Sequence, residues 1–144
     1  MSKSDHPSFE TIDLDGIQTY LNQTEASFAV LFGSHARGVA DESSDVDIAL
    51  RFPDELSDTD RFRRRNRIDA DLQVYADGFV DVSDIESLPT HVAYAALRDG
   101  IRLVGDSEKI ATYKRQINTK YDADASKRER EQREFIDRLA HGDV

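Results

Sequence analysis

The sequence predicts an α+β fold in which a small set of strands is packed by helices and followed by a charged helical tail. Three observations carry this expectation. Ala26-Ser27-Phe28-Ala29-Val30-Leu31-Phe32 is apolar on both faces and stops at Gly33, as a central strand covered on both sides requires. Asp45 to Phe52 alternates with period two. Val46, Ile48 and Leu50 point one way, while Asp45, Asp47 and Ala49 point the other. Between and after these runs, apolar residues return at helical spacing.

Taken in order, Met1 to about Thr11 is polar and expected to be loose. From Asp13 or Asp15, Ile17, Tyr20 and Leu21 predict a short helix to about Gln23. The central strand follows. Gly33 to Gly38 is then read as a tight turn leading through a short helical turn into the polar loop Asp41-Glu42-Ser43-Ser44. The alternating strand ends at Pro53. Residues from about Asp58 to Tyr75 read as a helix with Phe62, Ile68, Leu72 and Tyr75 as core positions. Asp77-Gly78 signals a turn, and Phe79–Val82 a third strand. A helix beginning near Pro89 carries the stripe Val92, Ala93, Ala96 and Leu97 and stops at Gly100. Ile101 to Val104 makes a fourth strand. From Ser107 to Leu139 the chain is helical and charged, with a seam of Ile110, Tyr113, Ile117 and Tyr121. One domain over residues 1–144 is expected, with a core of about 13–105 and a helical tail of about 106–140.

Composition narrows the function classes. Cysteine is absent, which removes disulfide frameworks and thiolate zinc sites. No apolar run approaches the roughly 20 residues of a membrane-spanning helix, and the polar start lacks a signal-peptide core, so a cytoplasmic protein without membrane contact is expected. Twenty aspartates against nine glutamates, with 14 arginines and five lysines, leave a net charge of −10. That balance resembles salt-adapted proteins and disfavours direct binding to nucleic acid.

The chemistry is expected where the two strands meet the turn. Asp45 and Asp47, two apart on a strand, share a face with about 6.7 Å between them. Paired carboxylates of this kind converge on one divalent ion or straddle a pair of ions. An oxygen-only donor set suits magnesium with phosphate oxygens and water. Gly33 lets a phosphate approach without a Cβ in the way. The Ser34 hydroxyl and amide and the Arg37 guanidinium add anion-binding groups. Asp81, opposite in facing to Val80 and Val82, is the candidate third carboxylate. Asp84 is expected beyond the strand end and on the other facing.

Gly33-Ser34, Ala36-Arg37-Gly38, Ser44-Asp45-x-Asp47 and Val80-Asp81-Val82 resemble the polymerase-beta-like nucleotidyltransferase superfamily. The likeness is to its minimal single-domain branch (MNT) and spans about Ala26 to Gly105. It implies a mixed sheet flanked by helices, the polymerase-beta-like palm, and two Mg²⁺ ions held by Asp45, Asp47 and Asp81. ATP phosphates would lie at Gly33, Ser34, Arg37 and Ser44, and Asp81 would help deprotonate the acceptor. Members of this size resemble the MntA antitoxins of HEPN–MNT (HepT–MntA) toxin–antitoxin pairs. These transfer AMP from ATP to a tyrosine of the toxin, so a cognate HEPN toxin in a hetero-oligomer is the implied partner. Two rivals stand beside this reading: nucleotide transfer to a small molecule such as an aminoglycoside, and neutralisation of a partner by binding alone.

Other features have plainer readings. Arg61, Arg63, Arg64, Arg65 and Arg67 cannot share one helix face, so much of the cluster is expected to be solvated, with nucleotide or partner contact as the alternative. Glu129–Arg133 and Glu134–Arg138 are surface pairs one helical turn apart, and Phe135, Ile136 and Leu139 beside them suggest partner contact. His35 and His91 read as bystanders, His6 and His141 as terminal residues, and no grouped histidines suggest zinc.

Overall fold

The computed structural model describes residues 12–33, 36, 38 and 45–140. The sheet is built from β1 (Phe28–Phe32), β2 (Val46–Arg51), β3 (Val80–Asp84) and β4 (Ile101–Gly105), in the order β3-β2-β1-β4. β1 runs antiparallel to both β2 and β4, whereas β2 and β3 are parallel, so the sheet is mixed. A parallel pair needs a crossover, and here it is α2 (Asp58–Leu72), extended by a 3-10 turn at Gln73–Tyr75. The other helices are α1 (Leu14–Asn22), α3 (Thr90–Asp99) and α4 (Ser107–Ala140).

Two apolar layers cover the sheet. On one side Ile17 and Leu21 of α1 and Ile68 and Leu72 of α2 pack on Ala29, Leu31, Val46, Ile48, Leu50, Val80 and Val82. On the other, Ala93 and Leu97 of α3 and Tyr113 and Ile117 of α4 pack on Phe28, Val30 and Ala49. The period-two alternation of β2 is therefore the division between the two layers. β1, interior and covered on both faces, is buried along its first four residues. The β1–β4 register shifts between Ala29 and Val30, leaving Leu103 as an extra residue on β4, and the neighbours Leu103 and Val104 both join the α1–α2 layer.

Helix ends follow local chemistry. The Asp13 carboxylate accepts from the Gly16 amide, and the Ser57 hydroxyl accepts from the Asp60 amide, capping α1 and α2. Pro89 occupies the position before α3, and Gly100 ends that helix.

Two expectations need correction. Phe62 is 63% exposed rather than buried. Ile68 and Leu72 define the inner stripe of α2, and one or two turns earlier that stripe is carried by Arg65 and Arg61, while Phe62 faces away. Arg61 and Arg65 are accordingly only partly exposed, whereas Arg63 and Arg67 are exposed. Arg61 pairs with Asp84 at 3.3 Å and Glu86 at 3.1 Å, and Arg65 donates to the Val82 carbonyl at 2.7 Å. Asp84, expected past the strand, is the last residue of β3 and is buried. It turns to the α2 side, and the Arg61 charge makes that burial tolerable.

α4 is one helix of 34 residues. Only Tyr113 and Ile117 are buried in it, and residues 126–140 are all exposed. Tyr121 stacks on Tyr94 of α3 with ring centroids 4.0 Å apart, the last aromatic contact tying α4 to the sheet's flank. No helix among the described residues is long and apolar enough to cross a membrane.

Candidate active site

Parallel pairing of β2 with β3 sets Asp47 directly beside Asp81. Directly paired residues of adjacent strands point the same way, with backbones about 4.8 Å apart. Because Val46, Ile48, Val80 and Val82 all belong to the α1–α2 layer, alternation sends Asp47 and Asp81 to the α3–α4 side. Asp45 immediately precedes β2, and the strand pairing continues to that point, since the Val46 amide donates to the Phe79 carbonyl at 2.9 Å. Three carboxylates are thus carried to one end of the sheet by two parallel strands. Asp45 and Asp81 are exposed and Asp47 is half-buried.

Gly33 closes the arrangement from the neighbouring strand. Phe32 pairs with Asp47 across the antiparallel β1–β2 ladder, and Gly33 follows it with φ +80°. A Cβ at this position would overlap the Asp47 carboxylate, with the carboxyl carbon only 3.3 Å away. Glycine is required here twice, for the left-handed backbone and for the closeness of the turn to the acid. Ser34, Arg37, Ser44 and His35 lie outside the described residues.

β3 is an edge strand, and α2 holds it there. Its outward backbone groups are met by side chains at helical spacing. Gln73 accepts from the Val80 amide at 2.9 Å and donates to the Val80 carbonyl at 2.6 Å. Asp69 accepts from the Val82 amide at 3.0 Å, and Arg65 donates to the Val82 carbonyl. These bonds protect the edge from foreign strands and fix the height of Val80–Val82, hence of Asp81. Sequence reasoning missed them. The available signal was three polar residues, 65, 69 and 73, spaced by four on a helix that precedes a short strand.

Asp84 pairs with Leu50 at the opposite end of the strands and faces the opposite layer, so it takes no part in this site. The donor chemistry of Asp45, Asp47 and Asp81 fits a hard, oxygen-loving divalent cation, and their backbones share a face and an end. As they stand, no three His, Cys, Asp or Glu side chains among the described residues are gathered closely enough to hold an ion. Side-chain rotation would have to complete such a site.

Residues 15–109 match the family model described as polymerase beta, nucleotidyltransferase, and the protein belongs to that family. Its mixed sheet with flanking helices is the polymerase-beta-like nucleotidyltransferase fold. A crystal structure of a toxin–antitoxin with AMP-PNP superposes with a TM-score of 0.64 at 21% identity, covering 85% of this chain and 96% of the other. A crystal structure of the toxin–antitoxin MntA–HepT carrying a double aspartate-to-glutamate substitution gives 0.64 at 19% identity, covering 87% and 99%. An MNT antitoxin in complex with a tri-AMPylated Shewanella oneidensis HEPN toxin gives 0.58 at 19% identity, covering 85% and 98%. At these identities the likeness is one of fold. No functionally curated protein matches the sequence.

Proposed function

We propose that this nucleotidyltransferase is a Mg²⁺-dependent protein adenylyltransferase and an antitoxin, moving AMP from ATP to a tyrosine hydroxyl of a cognate HEPN-type toxin with which it assembles. The observation that carries the reading is the register of β2 with β3, which aligns Asp47 with Asp81 at the sheet end where Gly33 packs on Asp47. Fold neighbours described as toxin–antitoxin complexes, one with AMP-PNP and one with an AMPylated toxin, support the choice of nucleotide and acceptor.

In this reading Asp45, Asp47 and Asp81 hold the ions, which when bound neutralise phosphate charge and orient the α-phosphate. Gly33, with Ser34, Arg37 and Ser44, cradles the triphosphate. The exposed Asp81 takes the proton of the acceptor hydroxyl. The tyrosine oxygen bonds to the α-phosphorus as the bond to the bridging oxygen breaks, and pyrophosphate leaves with that electron pair. Asp47, held against Gly33, keeps its carboxylate at a fixed height in the site.

Mass spectrometry of a HEPN-type protein encoded beside this chain, incubated with ATP, Mg²⁺ and the protein, tests the proposal. Addition of AMP to a tyrosine is expected, with loss of at least a hundredfold in rate for the Asp45→Asn, Asp47→Asn double variant. Equal labelling by that variant overturns the metal assignment. Labelling of an aminoglycoside but not of the toxin overturns the acceptor.

A further inference from the structure

Five of the 14 arginines fall between positions 61 and 67, in a chain of net charge −10. The structure sorts them. Arg61 and Arg65 turn inward to Asp84 and Val82, and Arg64 pairs with Glu25. Arg63 and Arg67, one helical turn apart, form no ion pair with any described residue. Asp71, the acid one turn beyond Arg67, is engaged by the Tyr20 hydroxyl instead.

Arg63, Arg64 and Arg67 line a cleft of about 600 Å³ between the end of α1 and the middle of α2. Tyr20 forms a wall, Phe52 and Ile68 lie at its base, and Glu25 and Asp60 stand at the rim. Phe52 and Ile68 belong to the α1–α2 layer, so the cleft is on the opposite face of the sheet from Asp47 and Asp81. It also lies toward the opposite end, since Phe52 follows the C-terminal end of β2 whereas Asp45 precedes its start. The acid site and this cleft are separate places.

Two exposed arginines one helical turn apart, without an ion-pair partner among the described residues and lining the same cleft as Tyr20, form a recognition surface for phosphate oxygens. The volume admits a nucleotide-sized molecule. The surrounding acidic surface repels a long polyanion while leaving the local field of the arginines available to a single phosphate group. We propose that this cleft binds a phosphorylated small molecule of nucleotide size, its phosphate held by Arg63 and Arg67 and its flat or apolar part against Tyr20. Binding there is independent of the transfer reaction.

The test is calorimetric titration of AMP, without divalent metal, into the full chain carrying Asp45→Asn and Asp47→Asn, which removes metal-dependent binding at the acid site and leaves the arginine substitutions to locate the remaining heat. Saturable binding is expected. Adding Arg63→Ala and Arg67→Ala is expected to weaken it at least tenfold with the far-UV circular dichroism unchanged. Adenosine should bind far more weakly than AMP, and inorganic phosphate should compete. The proposal is overturned if the arginine variant binds within twofold of its parent, if adenosine equals AMP, or if a short RNA binds where AMP does not.

Discussion

Removing the side chains that hold the edge of β3 should loosen the strand that carries Asp81 before it unfolds the protein. In the double variant Asp69→Ala, Gln73→Ala four hydrogen bonds disappear: the two between Gln73 and Val80, the one that the Val82 amide donates to Asp69, and the one that Gln73 donates to the Asp69 carbonyl. Each contributes about 1 kcal/mol net, and water can reach part of this edge, so the expected loss is about 2–3 kcal/mol. For a chain of this size that corresponds to a fall in Tm of roughly 4–12 °C. Both core layers remain intact, so the urea m-value should not change. Urea titration gives the free energy, and amide hydrogen exchange gives its location. The Val80 and Val82 amides should lose protection, while Ala29 and Leu31 of β1 change only by the global loss. Transfer activity should fall with β3 protection, because Asp81 shares that segment. A loss below 0.5 kcal/mol, or unchanged protection at Val80 and Val82, would refute the assignment of the edge to these side chains.

Two further outcomes follow from single sites. Gly33→Ala places a Cβ against the Asp47 carboxylate in a left-handed backbone, so a cost of about 1–3 kcal/mol is expected together with loss of activity; full activity with unchanged stability by urea titration would contradict the close approach. Burial, then the hydrogen bond to Asp71, pushes the Tyr20 phenol well above the ordinary tyrosine value, and burial followed by the Glu86 charge pushes Tyr113 up as well. Since the folded-state values are raised, the unfolded chain ionises first. Stability is full below about pH 10 and falls as pH rises toward the folded values. Tyr20→Phe should flatten that decline, and an unchanged alkaline stability profile in the variant would count against it.

Much of the fold is legible in the sequence because burial leaves periodic marks. β1 reads as central because both of its faces are apolar, and β2 reads as one-sided because Asp45, Asp47 and Ala49 interrupt Val46, Ile48 and Leu50. α2 was harder. Its inner stripe is completed by Arg61 and Arg65, so the apolar pattern fades and Phe62 imitates a core residue. The pairing of Arg61 with Asp84 spans 23 positions of sequence and has no periodic signature at either end. The Gln73 and Asp69 bonds to β3 involve polar residues whose local environment looks like any solvated helix face.

For the site, the residue types and their separation along each strand are legible in the chain alone: Gly33, the Asp45-x-Asp47 pair and Asp81 on the facing opposite to Val80 and Val82. Spacing along one strand is a local property, set by backbone geometry. The folded arrangement is what sets β2 and β3 parallel with Asp47 level with Asp81, brings Gly33 against the Asp47 carboxylate, and assigns Asp84 to a different layer. It alone separated Arg61 and Arg65, turned inward, and Arg64, paired with Glu25, from Arg63 and Arg67. Those are relations between segments. They depend on strand register and helix rotation, which follow from packing two apolar layers at once and leave no mark on any single stretch of chain.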